Sequence, residues 1–316
     1  MTTFLFMPYQ CFGHDTGIGH PECSDRLRAV ESVLANEAFS FLLRVHNGPA
    51  TRAQLERVHD ADYVSRVLAY DGCREPVELD EDTVVSSGTV QAALYAAGAA
   101  CQAVDEVLEG HTRNAFCAIR PPGHHAEAAK AMGFCLFNNA AIAALQAREV
   151  HGISKVAVVD FDVHHGNGVQ SIFWNDENLL YVSLHENGAY PETGPRDETG
   201  SDNNIINVPL ETGAGSDDMR RVWTDDIAPQ LRAFGPELII ISAGFDSHER
   251  DDMGGLNYTT ADYGWITAEI AEFADECCDG RVVSLLEGGY DLPSLAASVG
   301  VHVRVLMAAK VSNSGL

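Results

Sequence analysis

Lysine is almost missing from this chain: Lys130, Lys155 and Lys310 are the only three in 316 residues. Basic residues number 20 against 46 acidic ones, for a formal net charge of −26, and nowhere do Lys and Arg cluster. Phosphate backbones are bound by clustered cations, so the composition predicts no nucleic-acid partner; an anionic membrane surface is disfavoured by the same repulsion. No run reaches the ~18 apolar residues of a membrane span, and Met1–Cys11 lacks the basic start and long apolar stretch of a secretion signal, which predicts a cytoplasmic protein. The eight cysteines include no C-x-x-C pair and no zinc-finger spacing, and the adjacent Cys277 and Cys278 do not suit a tetrahedral structural site. They read as reduced, mostly buried small residues. Pro/Ser-rich linkers, repeats and low-complexity blocks are absent too, so residues 1–316 are expected to form a single domain.

What is present is enough to close a core, with 46% hydrophobic and 8% aromatic residues. Apolar runs of strand length occur at Ala115–Ile119, Lys155–Phe161, Leu179–Leu184, Ile205–Val208, Leu238–Ser242 and Val282–Leu286. Several lack in/out alternation, as strands covered on both faces of a parallel sheet do. Amphipathic stretches at about 87–109, 139–150, 216–234, 260–278 and 293–310 separate them, with Gly110 as a helix stop and Thr51/Gln54 as a capping box for a short earlier helix. This alternation predicts an α/β fold of three layers, αβα, around a mainly parallel sheet. In such sheets ligands bind beyond the carboxyl ends of the strands.

Four of those ends carry reactive residues: Arg120-Pro-Pro-Gly-His124-His125, Asp160-Phe-Asp162-Val-His164-His165-Gly-Asn167-Gly168, Ala-Gly-Phe-Asp246 and Glu287-Gly-Gly-Tyr290. Asp162 and His164 are two apart, so in an extended segment they share a face and can share a metal, with Asp246 as the best third ligand. Two carboxylates and one imidazole leave positions open for water and a substrate oxygen, the layout of a catalytic metal site. Oxygenase iron usually takes two histidines and one carboxylate, which argues against that chemistry; a helix-capping or turn role for Asp162 alone stays open. Pro-Pro-Gly can hold His124 and His125 rigidly at the site mouth, while Asp160 and Asn167 can each accept an imidazole N–H. An Asp partner raises an imidazole pKa more than an Asn does, so the two histidines are expected to differ in basicity. Tyr290 on its Gly-Gly hinge can polarise a carbonyl. The set reads as metal-assisted hydrolysis of an amide or ester.

These motifs, together with His20-Pro-Glu-Cys-Ser-Asp-Arg26-Leu, Gly133-Phe-Cys-Leu-Phe-Asn-Asn139 and Ser183-Leu-His185, closely resemble the zinc-dependent histone deacetylase family, which includes bacterial deacetylase-like amidohydrolases and acetylpolyamine amidohydrolases. The resemblance runs in family order from about residue 8 to 310 and implies the arginase/deacetylase-like fold. It implies one Zn2+ on Asp162, His164 and Asp246, with iron as an alternative native metal; Tyr290 polarises the carbonyl and His125 serves as base and then acid. His124, paired with Asp160, is then mainly electrostatic, and Asn167 orients His125; many nuclear members carry Asp where Asn167 stands. A structural K+ on carbonyls of Asp160, Asp162, His164, Ser183 and Leu184 is implied as well. So is an acyl-lysine tunnel between Phe134 and Tyr190, lined by Gly133, with Arg26 near an inner acetate pocket unless it is a surface helix arginine. Phe134 has ordinary core packing as its alternative.

Polyamine-selective members carry an acidic gatekeeper seven residues after the last zinc aspartate and an insert after His-Pro-Glu-Cys; here Met253 occupies the first position and Ser24 follows Cys23 directly. Both features favour a peptide or small-molecule acylamide such as acetyl-lysine, while Glu249, Asp251 and Asp252 keep acetylpolyamine open as the alternative. An arginase-type ureohydrolase needs more carboxylates than His-Gly-Asn after His164 supplies. A catalytically silent binding protein is disfavoured because every expected catalytic residue is present. Bacterial relatives often assemble, so a homo-oligomer, dimer or tetramer, is a further expectation.

Overall fold

Strands covered on both faces have no use for alternation, and the middle of this molecule is built from such strands. The computed structural model describes residues 2–309, so Lys310 at the end of the last expected helix lies outside the described residues. In chain order the strands are β1 (Phe4–Phe6), β2 (Leu43–Val45), β3 (Val77–Glu78), β4 (Val84–Val85), β5 (Asn114–Cys117), β6 (Val156–Asp160), β7 (Leu179–Glu186), β8 (Ile205–Leu210), β9 (Leu238–Ala243) and β10 (Val282–Leu286). β3 and β4 form a small antiparallel hairpin, and the other eight form one parallel sheet in the order β2-β1-β5-β10-β9-β6-β7-β8. Every residue of β5, β6, β7, β9 and β10 is buried.

The helices are α1 (Ser24–Leu34), α2 (Arg52–Glu56), α3 (Ala61–Leu68), α4 (Thr89–Leu108), α5 (Asn139–His151), α6 (Asn167–Phe173), α7 (Ser216–Val222), α8 (Ala228–Phe234), α9 (Thr260–Cys277) and α10 (Leu292–Ala308). α4 and α5 pack together against β5, β10, β9 and β6, whereas α1, α9 and α10 pack as a second group, giving the three-layer α/β arrangement. Among the described residues no helix is long and apolar enough to cross a membrane. The Thr51/Gln54 capping box is present on α2, and Gly110 follows α4 with φ +79°.

The stretch 216–234 departs from the expected single helix. α7 and α8 are separated by a π-helical turn, Trp223–Ile227, and Pro229 stands in the first turn of α8. Proline lacks the N–H of a regular helix and its ring crowds the carbonyl four residues back, so an uninterrupted α-helix through this point is disfavoured.

Four strands matter most for the site. β5, β10, β9 and β6 are consecutive in space, and their carboxyl ends lie level: Leu285 pairs with Cys117, Leu286 with Ala243, and Asp160 with Ser242. The four reactive segments therefore emerge side by side although they are scattered over residues 120–290.

Candidate active site

β6 ends at Asp160, so Asp162 and His164 lie on the loop beyond it, not on an extended segment as expected. They converge by a tight local wrap: Oδ1 of Asp162 accepts the His164 backbone N–H at 2.9 Å and faces His164 Nδ1 at 3.0 Å. Asp246 enters from the end of β9, with its Oδ2 3.3 Å from the same Nδ1. One oxygen or nitrogen from each of Asp162, His164 and Asp246 lies within 4.8 Å of the others, and all three residues are buried.

Whether a metal fits is decided by this donor set. Oδ2 of Asp246 is buried with no hydrogen-bond partner, and two carboxylates buried together require positive charge. Protons alone meet that demand imperfectly. Burial pushes the Asp246 acid up to about 6, reinforced by Asp162; burial opposes charge on His164, yet the carboxylates of Asp162 and Asp246 beside it hold its pKa well above the ordinary value. Two carboxylate oxygens and an imidazole nitrogen match the ligands zinc takes, so the residues fit such an ion.

His124 and His125 follow β5 with only 2% and 3% exposure, well inside the mouth where the sequence reading set them. Their rings lie 4.0 Å apart and are wired differently. His124 Nδ1 is 3.0 Å from Oδ2 of Asp160, which also accepts the Tyr181 O–H at 2.9 Å. Burial disfavours its charge, but Asp160 and Asp162 overcome that and raise its pKa to about 10. His125 Nδ1 instead faces Oδ1 of Asn167 at 2.9 Å, while the Asn167 amide donates to Oε1 of Glu127 at 3.0 Å. Glu127 thereby fixes which end of the amide faces His125. Nδ1 must carry the proton, which leaves Nε2 as an acceptor. Burial, then the charges of His124 and His164, hold the His125 pKa well below the ordinary value.

These side chains border a cavity of about 160 Å³ whose walls include Asp82, Gly133, Phe134, Tyr190, Met253 and Tyr290. Gly133 and Phe134 are the two central residues of a tight turn closed between Met132 and Cys135, both with positive φ (+55° and +68°). That conformation is uncommon for a bulky residue. It aims Phe134 at the cavity, where its ring meets Tyr290 edge-on at 6.0 Å, while its N–H is held by Thr83 at 3.1 Å. Tyr190 stands edge-on to His125 at 5.1 Å. Tyr290 is braced below by Arg26, which is fully buried: its guanidinium lies 4.8 Å from the Tyr290 ring and bonds the carbonyls of Glu287 and Gly289. Burial, together with Asp246 and Asp162, keeps the Tyr290 phenol protonated, although Arg26 resists this. Ser183 pairs with Asp160 in the sheet register, so two of the five residues of the expected potassium site are side by side, although the Ser183 hydroxyl itself is engaged by His185.

Some residues that hold the site carry no local signal in the sequence: Glu127 bonds Asn167 from 40 residues away, and Asp82 reaches the cavity from the hairpin loop. Asp251, expected among the acids open to a cationic substrate, is instead buried and accepts the N–H groups of Tyr290 and Asp291 at 2.6 and 2.9 Å. Glu22, buried, joins Arg26 and Arg120 across 98 residues of chain. Only proximity in the fold reveals these pairings.

Comparison with known proteins agrees with the geometry. The histone deacetylase domain family matches residues 20–306. Histone deacetylase 14, chloroplastic, of Arabidopsis thaliana is 39% identical over 309 residues, which span 91% of this chain and 73% of the relative. The histone deacetylase-like amidohydrolase of Pseudomonas aeruginosa is 36% identical over 278 residues, spanning 86% of this chain and 73% of the relative. The crystal structure of the HDA15 HD domain superposes with a TM-score of 0.92 at 35% identity, covering 99% of this chain and 92% of that one. A match of this extent, over a site that opens where parallel α/β sheets bind ligands, makes this chain a member of the histone deacetylase family and a hydrolase that deacetylates amides.

Proposed function

We propose that the chain is a zinc-dependent deacetylase for N-acyl amides of the acetyl-lysine type, with one zinc ion held by Asp162, His164 and Asp246. The observation that carries this reading is the unequal wiring of the two imidazoles beside that trio, His124 on a carboxylate and His125 on an amide. Zinc in such a site supplies Lewis-acid polarisation of a carbonyl and of water. From the protein side, His125 accepts the proton of the attacking water at Nε2 and returns it to the leaving amine nitrogen. His124, tied to Asp160, contributes positive charge throughout. Tyr290 donates its O–H to the carbonyl oxygen as negative charge grows there. Asn167 keeps His125 in the required tautomer, and Arg26 holds Tyr290 from below.

Gly133, Phe134 and Tyr190 form the substrate slot in this reading, with Met253 at the rim. The apolar Met253 favours an acyl-lysine peptide or small acylamide. Asp82 in the same wall supports acetylpolyamine as a second reading, because it supplies an acid for a cationic chain. A structural potassium ion on the carbonyls of Asp160, Asp162, His164, Ser183 and Leu184 belongs to the proposal, supported by the Asp160–Ser183 register. So do one catalytic domain over residues 1–316, supported by the single main sheet, and a cytoplasmic location, supported by eight free cysteines. Self-association as a dimer or tetramer is supported by the exposed Tyr9, Ile18 and Phe41, and light scattering reads it.

The test is turnover of a fluorogenic acetyl-lysine peptide, with bound zinc measured alongside. Asp162→Ala should lose both zinc and activity; Tyr290→Phe should keep zinc and lose about 10²–10³-fold in kcat. Unchanged activity in both variants overturns the mechanism. A panel adding acetylputrescine, acetylspermidine and small aryl acetamides ranks the substrates, and a strong polyamine preference would select the second reading.

A further inference from the structure

The proposed chemistry needs two loops to keep a fixed distance: the one after β5, with His124 and His125, and the one after β10, with Tyr290. The second is rigid in itself. Arg26 bonds the carbonyls of Glu287 and Gly289, and Asp251 accepts the N–H groups of Tyr290 and Asp291. Its first residue, Glu287, is fully buried, and its side chain reaches the first loop. Oε2 of Glu287 accepts the N–H of Gly123 at 2.7 Å and that of His124 at 3.2 Å. The next N–H along the chain, that of Gly288, bonds Oδ2 of Asp162 at 2.8 Å. Two successive residues thus grip the histidine loop with a side chain and a proposed metal ligand with the backbone.

The other carboxylate oxygen, Oε1, is buried without any hydrogen-bond partner. A buried carboxylate with one idle oxygen is a costly way to fill space, and burial drives its pKa up to about 7 against the pull of the His124 charge. An apolar side chain would fill the volume at lower cost but would leave two backbone N–H groups orphaned. What the position requires is an acceptor oxygen at the end of a chain of this length. Aspartate keeps the charge but is one methylene short, whereas glutamine keeps the reach and the acceptor without the charge.

We infer that Glu287 is a positioning residue for the deacetylation: by spanning from β10 to the Gly123 and His124 N–H groups it locks the His124–His125 loop to the Asp162 and Tyr290 side of the site, and it does so by reach rather than by charge. This rests on the roles proposed above for His124, His125 and Tyr290.

The experiment compares Glu287→Gln with Glu287→Asp in the zinc-loaded protein, by kinetics and by NMR of the histidine ring signals. Glutamine is expected to keep kcat within about threefold, and aspartate to lose about 10–10²-fold in kcat at unchanged KM, as displacement of a catalytic group by an ångström does. The His124 and His125 ring signals are expected to move in the Asp variant and to stay in the Gln variant. Val283→Ala, a core change in β10, the strand that leads into Glu287, is the stability control and should lose melting temperature without losing kcat. The inference is overturned if both Glu287 variants keep kcat, if both lose it equally, if Gln alone loses it, if the change falls on KM, or if Val283→Ala loses kcat as the Asp variant does. Should the wild type prove inactive on every acylamide, the proposed function fails by itself, and the ring signals still decide: equal shifts, or none, in both variants overturn the positioning role.

Discussion

At Gly133 a hydrogen atom separates a working cavity from a blocked one. A Cβ added there would run into the His125 ring and lie 2.9 Å from Cε1 of Tyr190, on a backbone with φ +55°. Gly133→Ala is therefore expected to lower kcat/KM at least about tenfold, through strain in the turn and displacement of the His125 ring. Steady-state kinetics on a correctly melting protein measures this, and wild-type activity would contradict the contact. Glu127 offers a gentler test of the same histidine. Without its carboxylate the Asn167 amide is free to turn over, so Glu127→Ala should cost several-fold in kcat with little change in KM; an effect on KM alone would show that Glu127 touches substrate instead. These two positions mark how far residues could be read in advance. Gly133 sits inside a recognisable motif, and Asp162, His164 and Asp246 announce themselves as reactive residues at strand ends. Glu127 does not, because its work is done on a side chain 40 residues away and nothing in its neighbourhood hints at it.

Among the elements, the long buried strands were readable because burial on both faces makes them continuous apolar runs, whereas β1 and β2, of three residues each, are too short to show any period. The β3–β4 hairpin, only two residues a side, is likewise too short to show a period, and with it go Asp82, which it delivers to the cavity wall, and Thr83, which holds the Phe134 N–H. In 216–234 Pro229, in the first turn of α8, marks the break between α7 and α8 that the apolar period of the stretch does not show. His302 is where α9, α10 and β10 meet, between Thr267 and Ser284 at 2.7 and 2.8 Å. Thr267 donates its only hydroxyl hydrogen to the Tyr263 carbonyl, so it must accept from Nδ1, and Ser284 then donates to Nε2. The pocket is built for a neutral ring. Burial drives the His302 pKa down from 6.5 to about 3. The folded pKa is thus below the unfolded one, and between those two values the unfolded chain binds the proton the folded chain refuses. Stability contributed by this site is complete above pH 6.5 and declines as pH falls toward about 3, by up to ~1.4 kcal/mol per pH unit. Urea unfolding at several pH values should show a shallower acid decline for His302→Gln than for the wild type, the other histidines cancelling in the difference. Parallel declines would mean that the ring is already protonated in the fold.

For the molecule as a whole, the charge of −26 divides into two populations that composition alone could not separate. Asp160 and Glu22 are buried and matched, by His124 for the first and by Arg26 and Arg120 for the second, while Asp162 and Asp246 converge on His164. Such groups contribute little field at a distance. The surplus is elsewhere, and part of it stands at the entrance, where Asp82 lines the cavity on a loop that also carries Asp80 and Glu81. A field of one sign around a cleft raises the encounter rate of oppositely charged ligands, and salt removes the gain once the screening length falls below about 10 Å, near 0.1 M. Raising sodium chloride from about 0.05 to about 0.5 M should therefore lower kcat/KM several-fold for an acetyl-lysine peptide flanked by lysines, leave it unchanged for a neutral aryl acetamide, and leave kcat unchanged for both. The neutral substrate separates steering from any effect of salt on the fold, because a change in the protein would move both substrates together. Loss of activity in parallel would assign the acid to solvation of the surface alone, with no part in drawing substrate to the site.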